Sequence, residues 1–569
     1  MKHIFLLAVL AVGASAQSLL NSPSSYFGGT DNIVYRTWAE SRASIYASSI
    51  FLPSNADPEA GAAIHWNIDG DTLSLAVAAR ATGWLGFGIS ENGGMQGADM
   101  VLFAANKPDE LVDSYVLEER LPLTDCQSSW NLVSSQTNDG FLIFEATRLL
   151  DTGDAQDRAI IDDSNQAVPA TRIIAAWGDS PQVSYHGNNR VRGAVRWFGD
   201  KDEQAAFEQR MLANAEGSFV VRASNYPVKS NDTEYASFCV SKDDILAQDV
   251  PDVDNLMIIG YEPIVDEDSK AFVHHFTITG SRDSNNALIG DCEDGFENAF
   301  ELVYVWAPGE GPFALPDNLG APYGGVGGFG SFQMETHYNN PELVQGILDS
   351  SGVRFYYTTQ PREFEMGVLQ LGDPDVDLFG QQVGNGISSH SFGCPGACSS
   401  FAVQQPVTVL REYLHMHRSG TRAVNQQIRN GQVVRSGSID FFNFDQQGNQ
   451  AVVQAPFEVE PGDSFNTVCY YQSDGNKVFG LSSQEEMCIA FLYYFPRKLL
   501  FDEFPWACGL DMGLDSCEPE YTPRQLSAVA DLERGFGTAS TECTSGGFSV
   551  ASSKASAVAV GTLFLGFLM

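Results

Sequence analysis

Apolar and polar residues alternate in short runs along most of the chain. Residues 63–68 and 72–77 are two early examples, and turn-forming clusters such as Asn92-Gly93-Gly94 separate such runs. A period of two places successive side chains on opposite faces of a β-strand, whereas long stretches with helical periodicity are scarce. The pattern therefore predicts an all-β protein with many turns.

The runs fall into three groups, each long enough for one β-sandwich. The predicted domains cover residues 25–200, 205–345 and 355–525. From residue 526 to residue 569 the chain is rich in Ser, Thr and Gly, which is typical of a flexible stalk. No internal repeat with a solenoid period is visible.

Both ends of the chain look like targeting signals. Residues 1–16 combine a basic start, an apolar run and the small residues Ala14-Ser15-Ala16, as a secretory signal peptide does. The apolar run 555–569 is shorter than the ~20 residues of a membrane-spanning helix. Because small residues at 544–547 precede it, the order predicts a GPI-attachment signal, with a single-pass tail anchor or a frayed end as alternatives. We expect the protein in the secretory pathway or at the cell surface.

The charge balance narrows the choice of partners. There are 72 acidic and 32 basic residues, for a net charge of −40. A surface this acidic repels phosphate backbones and excludes a nucleic-acid partner. The ten cysteines suit disulfides in an oxidising compartment, and Asn231-Asp232-Thr233 predicts an exposed N-glycosylation site.

Four of the nine histidines fall into two tight pairs. His415 and His417 are two residues apart, so on a strand both imidazoles lie on one face and can bind one ion. His274 and His275 are neighbours, which on a regular strand point to opposite faces. They can share an ion only at a strand end or a twisted edge, and otherwise one is buried and the other exposed.

The chemistry of these side chains suggests a metal. Imidazole suits Zn, Cu, Fe and Ni, while a thioether selects a soft ion such as Cu(I). A set of two histidines and Met487 would therefore favour copper. Spacing alone does not bring Met487 to His415 and His417, and a buried methionine is more often core packing.

Four ordered motifs carry a resemblance that goes further than spacing. The segments 273–276, 335–341, 414–420 and 480–488 resemble the copper type II ascorbate-dependent monooxygenases. The resemblance implies two jelly-roll-like β-sandwiches that face each other across a cleft, with one copper on each and ascorbate as reductant. His274, His275 and His337 would hold an electron-transfer copper, and His415, His417 and Met487 the copper that binds O2.

A second resemblance covers the N-terminal region. Segments 82–90 and 94–101 resemble a DOMON domain, and a DOMON domain before two copper domains implies the dopamine β-hydroxylase-like branch. Asp99, with backbone oxygens near Met100 and Ser114, resembles a metal-ion site of that branch, although Ser129 replaces one acidic ligand. Alternatively, Met95 and His186 resemble the axial pair of a haem b site, or the domain binds no cofactor.

The resemblance also implies disulfides. Cys239 would pair with Cys292, and Cys469 with Cys488. Cys394 and Cys398 would reach the C-terminal part, to Cys508 and to one of Cys517 or Cys543. Cys126 would take the remaining partner. The pairing of Cys398 with Cys517 is the one we expect, and spacing alone does not fix it.

Two departures from the family pattern bear on the reaction and its substrate. Positions where peptide-amidating relatives recognise a carboxylate are Tyr413, Ile489 and Phe491 here, and a desolvated carboxylate needs a cation or several donors. A proposed catalytic tyrosine of the family is Ser237, with Tyr235 nearby. We therefore expect hydroxylation of an aliphatic or benzylic C–H bond in a small, phenethylamine-like molecule, using O2 and ascorbate. The alternatives are a non-catalytic extracellular protein that binds copper or another ligand, and a haem-linked redox protein.

Overall fold

The computed structural model describes most of the chain between residues 26 and 526. Gaps in this description fall at residues 29–31, 55–58, 118–119, 155, 165–169, 200–202, 254, 282–300, 309, 326, 374–380, 445–446, 448–455, 481, 501–503 and 509–519. The predicted signal peptide, the stalk with its GPI signal, and Cys292, Cys517 and Cys543 lie outside the described residues. In the described part of the chain, no helix is both long and apolar enough to span a bilayer.

The N-terminal domain is a sandwich of two antiparallel sheets. The strands of the first sheet, in spatial order, are Ser48–Pro53, Gly61–Asp69, Thr72–Arg80, Phe141–Leu149 and Asn131–Asn138. Those of the second are Arg190–Val195, Thr171–Gly178, Trp84–Ser90, Asp99–Ala104, Leu111–Tyr115 and Leu123–Thr124.

Alternation along these strands explains how the first sheet is covered on both faces. In Gly61–Asp69, Ile64 and Trp66 point into the core between the sheets. Ala63 points the other way, toward the helix Ile33–Arg42, whose Tyr35 and Trp38 pack on it. Because one face meets a sheet and the other meets a helix, both faces of this strand are buried.

The middle domain is a second sandwich. One sheet contains Gly217–Arg222, Gly352–Thr358, Leu256–Ile264, Leu319–Tyr323 and Phe364–Glu365, with Phe313–Ala314 paired to Leu256–Ile264. The other contains Thr233–Val240, Ser331–Asn339, Val273–Ser281 and Glu301–Trp306. Tyr226–Pro227 pairs with Leu348–Asp349, and the helices are Glu203–Asn214 and Lys242–Leu246.

The pairing of Gly352–Thr358 corrects the expected domain boundary. This strand lies between Gly217–Arg222 and Leu256–Ile264, so it belongs to the middle domain. The boundary predicted between residues 345 and 355 is therefore too early. Strand periodicity shows that a strand exists but not which sheet it joins.

The third domain is the last sandwich. Its first sheet contains Phe457–Val459, Val407–Met416, Cys488–Phe495, Gly367–Gly372 and Ala507–Cys508. Its second contains Gln432–Ile439, Gly420–Arg429, Ser464–Ser473, Gly386–Cys394 and Glu520–Leu526. The short pairs Gln382–Val383 with Lys477–Val478 and Leu499–Leu500 with Phe504–Pro505, and the helix Gly396–Ala402, complete it. The three sandwiches confirm the predicted all-β class.

Disulfides tie the third domain together. Cys469–Cys488 links its two sheets, and Cys394–Cys508 joins them a second time, as the resemblance implied. Cys126, Cys239 and Cys398 are disulfide-bonded as well. Cys292 and Cys517, the partners expected for Cys239 and Cys398, are among the residues that are not described.

The middle and third domains share one apolar core. Buried residues from both belong to a single contiguous cluster, which includes Phe276 and Tyr304 on one side and Leu414 and Tyr493 on the other. The backbone N–H of Val305 also donates to the hydroxyl of Tyr493 at 3.1 Å. This continuity fixes how the two domains face each other.

The packing of the N-terminal sandwich makes one prediction about stability. Phe144 is 0% exposed between its sheets, so Phe144→Ala should lower the free energy of unfolding of that domain by about 3–5 kcal/mol. Val133, 62% exposed on the neighbouring strand, is the control, and Val133→Ala should change it by less than about 0.5 kcal/mol. Urea denaturation of the full chain measures both; equal effects of the two substitutions would contradict the assigned core.

Candidate metal centre

A β-bulge brings His274 and His275 to the same ion-sized space. Along the pairing of Val273–Ser281 with Ser331–Asn339, the register shifts between Val273, which faces Tyr338, and His275, which faces His337. His274 is therefore the extra residue of the bulge, and a bulge re-aims a side chain that would otherwise point to the far face. The two histidines can therefore share an ion without lying at a strand end. The alternative of one buried and one exposed histidine does not hold, because both imidazoles are buried.

Two rings of this first set, those of His274 and His337, are held by hydrogen bonds on their outer side. Nε2 of His274 donates to the carbonyl oxygen of Phe444 at 3.0 Å, and Nε2 of His337 lies 2.6 Å from Oγ of Ser483. The carbonyl can only accept, so Nδ1 of His274 keeps its lone pair. This Nδ1 lies 3.0 Å from Nδ1 of His275, a separation that two metal–nitrogen bonds of about 2.0 Å allow. One ligand nitrogen from each ring lies within 4.8 Å of the others.

The second set stands at the end of the strand Val407–Met416. His415 and His417 lie two residues apart, and their ring centroids are 5.2 Å apart with the planes nearly perpendicular. This is the arrangement that the two-residue spacing predicts. In the neighbouring strand Cys488 pairs with Met416, so Met487 comes next, beside His417. Met487 is buried there, and its backbone carbonyl accepts from the hydroxyl of Tyr471 at 2.6 Å.

The outer nitrogens of the second set also have partners. Nδ1 of His415 lies 2.6 Å from Oε1 of Gln447, and Nδ1 of His417 donates to the carbonyl of Glu485 at 3.2 Å. Nε2 of His417 is buried and has no hydrogen-bond partner. A buried polar atom without a partner is costly, and a metal ion would satisfy it. Histidines that bind metals typically donate their second N–H to a carbonyl or amide oxygen, as these do.

Burial keeps all five imidazoles neutral. Desolvation lowers the pKa of His274 to about 3 and that of His415 to about 4. The pKa values of His275, His337 and His417 lie well below the ordinary value for the same reason, with the neighbouring histidines adding to the effect. Neutral imidazole is the form that binds a metal, so no proton has to leave at neutral pH.

The two sets touch each other. The ring of His275 lies 5.2 Å from that of His415, and the ring of His337 lies 6.2 Å from that of His417, measured between centroids. The expectation of two domains separated by a cleft is therefore wrong for this structure. Because the domains share one core, the histidines of the two sets lie side by side.

Other expected positions near the centre are placed as follows. Tyr235 stacks on His337 with centroids 4.6 Å apart, and its hydroxyl lies 3.4 Å from Nδ1 of that ring. Tyr413, Ile489 and Phe491 are all buried, and none of them brings a formal charge.

The N-terminal domain contains a separate cluster of buried acids. Carboxylate oxygens of Asp99, Asp113 and Asp157 lie within 4.8 Å of one another. Oδ2 of Asp99 accepts from Arg148 at 2.5 Å, but Oδ1 of Asp99, Oδ1 of Asp113 and both oxygens of Asp157 are buried without a partner. Ser129 contributes a backbone N–H to Oδ2 of Asp113 at 2.7 Å rather than a ligand oxygen.

Like charges and burial perturb these acids. Desolvation, opposed by the N–H of Ser129 and reinforced by Asp157, raises the pKa of Asp113 to about 8. Desolvation likewise raises the pKa of Asp125, which lies beside the cluster, to about 6. Strongly raised carboxyl pKa values show that the cluster lacks enough positive charge of its own.

Met95 and His186, the candidate haem ligands, occupy ordinary surroundings. Met95 packs on an apolar patch outside the second sheet that includes Met100 and Val183. The ring of His186 stacks on Tyr185, and its Nδ1 lies 2.9 Å from the carbonyl oxygen of Gly187. The haem hypothesis stays a prediction.

Several residues at these sites carried no signal in the sequence. Phe444 and Gln447 contribute a backbone carbonyl and a side-chain amide from a loop that none of the motifs covers. Ser483 and Glu485 lie within the 480–488 motif, but nothing in it indicated that a hydroxyl and a backbone carbonyl would meet His337 and His417. Asp113 and Asp157 are separated from Asp99 along the chain, and only the sheet pairing of Asp99–Ala104 with Leu111–Tyr115 brings Asp113 close.

Two neutral imidazole sets on adjoining β-sandwiches are suited to hold transition-metal ions, and comparison with known proteins shows the class to be the copper-dependent monooxygenases. Family models match as the DOMON domain over residues 60–170, and as the N-terminal and C-terminal domains of the copper type II ascorbate-dependent monooxygenases over residues 219–345 and 375–505. The chain belongs to this family and is a copper-dependent monooxygenase with an N-terminal DOMON domain.

Known relatives cover most of the chain. DBH-like monooxygenase protein 1 of Gallus gallus is 27% identical over 460 residues, which is 76% of this chain and 71% of the relative. Dopamine beta-hydroxylase of Homo sapiens is 26% identical, in an alignment that covers 78% of this chain and 72% of the relative. Tyramine beta-hydroxylase of Caenorhabditis briggsae is 25% identical, in an alignment that covers 75% of this chain and 73% of the relative.

The unpartnered nitrogen of His417 makes a prediction about copper stoichiometry. The wild-type protein should bind about two copper ions per chain, and His417→Ala about one. His390 is a matched control because it is equally buried, but Tyr521 and Ser388 lie at 2.7 and 3.2 Å from its two ring nitrogens. His390→Ala should retain both ions. Metal analysis after gel filtration measures this, and loss of the same ion from both variants would contradict it.

Proposed function

We propose that this monooxygenase hydroxylates an aliphatic or benzylic C–H bond of a small amine with an aromatic ring, using O2 and ascorbate. In this proposal His274, His275 and His337 hold one copper, and His415, His417 and Met487 hold the other. The observation that carries it is the set of five buried, neutral imidazoles, with the Nδ1 pair of His274 and His275 and the unpartnered Nε2 of His417 turned inward.

The protein's own groups prepare this centre. When bound, two coppers supply the two one-electron steps that hydroxylation by O2 requires, with ascorbate replacing the electrons. The carbonyl oxygens of Phe444 and Glu485 hold a proton on the outer nitrogen of His274 and of His417. The amide oxygen of Gln447 does the same for His415. Each ring is thereby kept in one tautomer with its lone pair directed inward.

Charge and polarity support an amine rather than a peptide acid. Tyr413, Ile489 and Phe491 offer no cation for a desolvated carboxylate. The net charge of −40 attracts a cationic amine toward the protein and repels an anion. The rings of His275 and His415, with centroids 5.2 Å apart, would hold the two metal sites close to each other.

The proposal places the protein in the secretory pathway, held at the cell surface by a GPI anchor. The disulfides Cys394–Cys508 and Cys469–Cys488 fit an oxidising compartment. Asn231 is exposed, as a glycosylation site must be. Phosphatidylinositol-specific phospholipase treatment of cells that express the full chain would release a GPI-anchored protein and leave a tail-anchored one.

The substrate prediction is tested by turnover of the copper-loaded full chain. Phenethylamines and catecholamines should give a hydroxylated product with one O2 consumed per product, while glycine-extended peptides should react at least about 10-fold less efficiently. Mass spectrometry of the product and an oxygen electrode measure this. Preferential turnover of the peptides would contradict the amine assignment.

Two other outcomes of that assay identify the alternatives. Binding of two coppers without ascorbate-driven O2 consumption would indicate a binding protein that retains the fold. A Soret band that His186→Ala removes would instead indicate a haem-linked redox role.

We also propose that the acidic cluster of the DOMON domain binds a divalent cation such as Ca²⁺. Hard cations prefer carboxylate oxygens, and Asp99, Asp113 and Asp157 present buried oxygens without a partner. Asp99 is the residue that the sequence predicted for such a site. Asp113 and Asp157 would replace the ligand lost at Ser129.

This second proposal predicts a specific pH dependence. Since the pKa of Asp113 is raised to about 8, the native domain without a cation binds this proton more tightly than the unfolded chain. Its stability should therefore fall as the pH rises from about 4 to about 8. Ca²⁺ at about 100 times its Kd should add about 2.7 kcal/mol at pH 8 and less at pH 5, where protons compete.

Thermal unfolding of the full chain in chelator and in Ca²⁺ measures this effect. Asp113→Asn should weaken the pH dependence, to which Asp125 still contributes, and remove most of the Ca²⁺ effect, while Asp109→Asn, at an exposed position of the same domain, should keep both in full. A melting temperature that Ca²⁺ does not change at pH 8 would rule the cation out.

A further inference from the structure

One short segment of the third domain, residues 440–447, joins the DOMON domain to both histidine sets. The described residues of this segment form no strand of a sheet, so no ladder of backbone hydrogen bonds holds it. Its position must come from individual side-chain and backbone contacts. Some of these tie it to its own domain, through Asp440 with Arg422 and through Phe442, and the others lie in the DOMON domain at one end and on the imidazoles at the other.

At the first end, Phe441 inserts into the DOMON domain. Its ring is 2% exposed and clusters with Tyr115, Leu117 and Leu123, all of which belong to that domain. The guanidinium of Arg158 lies 5.6 Å from the centre of the ring. The fit is close at Gly97, where a Cβ would lie 2.6 Å from ring atoms of Phe441.

Polar contacts fix the backbone at the same place. Nδ2 of Asn92 donates to the carbonyl of Phe441 at 2.9 Å, and the N–H of Asp440 donates to Oε1 of Glu91 at 2.8 Å. Arg158 completes the arrangement by pairing with Oε2 of Glu91 at 3.2 Å. Asn92 is fully buried, so its amide cannot form hydrogen bonds with bulk water in place of these contacts.

At the other end, Phe444 and Gln447 hold the imidazoles. The ring of Phe444 stacks on His274 with centroids 3.8 Å apart, and its carbonyl accepts from Nε2 of that histidine. The same carbonyl accepts from Nε2 of Gln447 at 2.9 Å, while Oε1 of Gln447 meets Nδ1 of His415. A single hydrogen-bonded chain thus runs from one histidine set to the other through this segment.

We propose that the DOMON domain is a positioning element for the copper centres, acting through Phe441 and Asn92. Three residue steps, at most about 10 Å of extended chain, separate Phe441 from Phe444. Because the segment is so short, the seating of Phe441 in the DOMON domain sets where the Phe444 carbonyl and the Gln447 amide meet His274 and His415. This inference rests on the ligand assignment in the proposed function.

The neighbouring Phe442 provides the competing explanation. It is buried in the core of the copper domains, and its N–H donates to the carbonyl of Thr421 at 2.9 Å. If this anchor alone sufficed, changes on the DOMON side would leave the histidines undisturbed. Variants on the DOMON side therefore decide between the two.

The experiment compares Asn92→Asp, Phe441→Ala and Phe441→Leu with Tyr185→Ala in the full chain. Asn92→Asp keeps the oxygen that accepts from the N–H of Gly94 at 2.7 Å, removes the donor to Phe441, and places a carboxyl group at a fully buried position. Tyr185 is a DOMON aromatic that is 84% exposed. The readouts are the rate at which a chelator removes Cu(I), the Cu(II) electron paramagnetic resonance spectrum, and hydrogen exchange of residues 440–447 in the metal-free protein.

We expect Asn92→Asp and Phe441→Ala to speed copper removal by about 10-fold or more, the cost typical of losing a group that supports a metal ligand. Their spectra should change and exchange in the segment should rise. Phe441→Leu should recover most of the wild-type behaviour, and Tyr185→Ala should match the wild type. In turnover, kcat should fall with little change in KM.

Unchanged copper removal, spectra and exchange in Asn92→Asp would overturn the inference, even if Phe441→Ala failed to fold. The two levels of the account fail differently. A wild-type protein that binds fewer than two coppers would refute the ligand assignment. A wild type with two coppers and variants indistinguishable from it would refute only the role of the DOMON domain.

Discussion

The centre depends on five imidazoles that are packed away from water and therefore stay neutral. Burial lowers the pKa of His274 to about 3 and that of His415 to about 4. The rings are therefore uncharged at neutral pH, and no unpaired charge has to be buried. Neutral rings still need partners for two nitrogens each. Loop groups satisfy the outer nitrogens of His274, His337, His415 and His417. The inward Nδ1 atoms of His274 and His275 and the unpartnered Nε2 of His417 are the atoms that a metal would satisfy.

The sandwich architecture makes this arrangement possible. Both sets lie on strands of two sandwiches that share a single core, and the core holds the ring of His275 5.2 Å from that of His415. The β-bulge at His274 adds what a regular strand cannot, since it turns two neighbouring side chains to one side. The loops then complete the centre, and one of them is itself seated in the DOMON domain.

The sequence allowed much of this to be predicted, and the failures have physical causes. Alternation predicted the all-β class, and the two-residue spacing of His415 and His417 predicted their shared face. The bulge at His274 depends on pairing with a strand about sixty residues away, which no local pattern reveals. For the same reason the strand Gly352–Thr358 was assigned to the wrong domain. Gln447 and Phe444 act through an amide and a carbonyl, so residue type alone gave no hint of them.

The most direct test of the account is the identity of the nitrogen that each histidine offers to copper. In the full chain loaded with diamagnetic Cu(I) and labelled with ¹⁵N-histidine, nuclear magnetic resonance can distinguish the two ring nitrogens. The hydrogen bonds to Phe444, Gln447 and Glu485 predict ligation of His274 through Nδ1, and of His415 and His417 through Nε2. Ligation through the opposite nitrogens, or rings unchanged by Cu(I), would contradict the account.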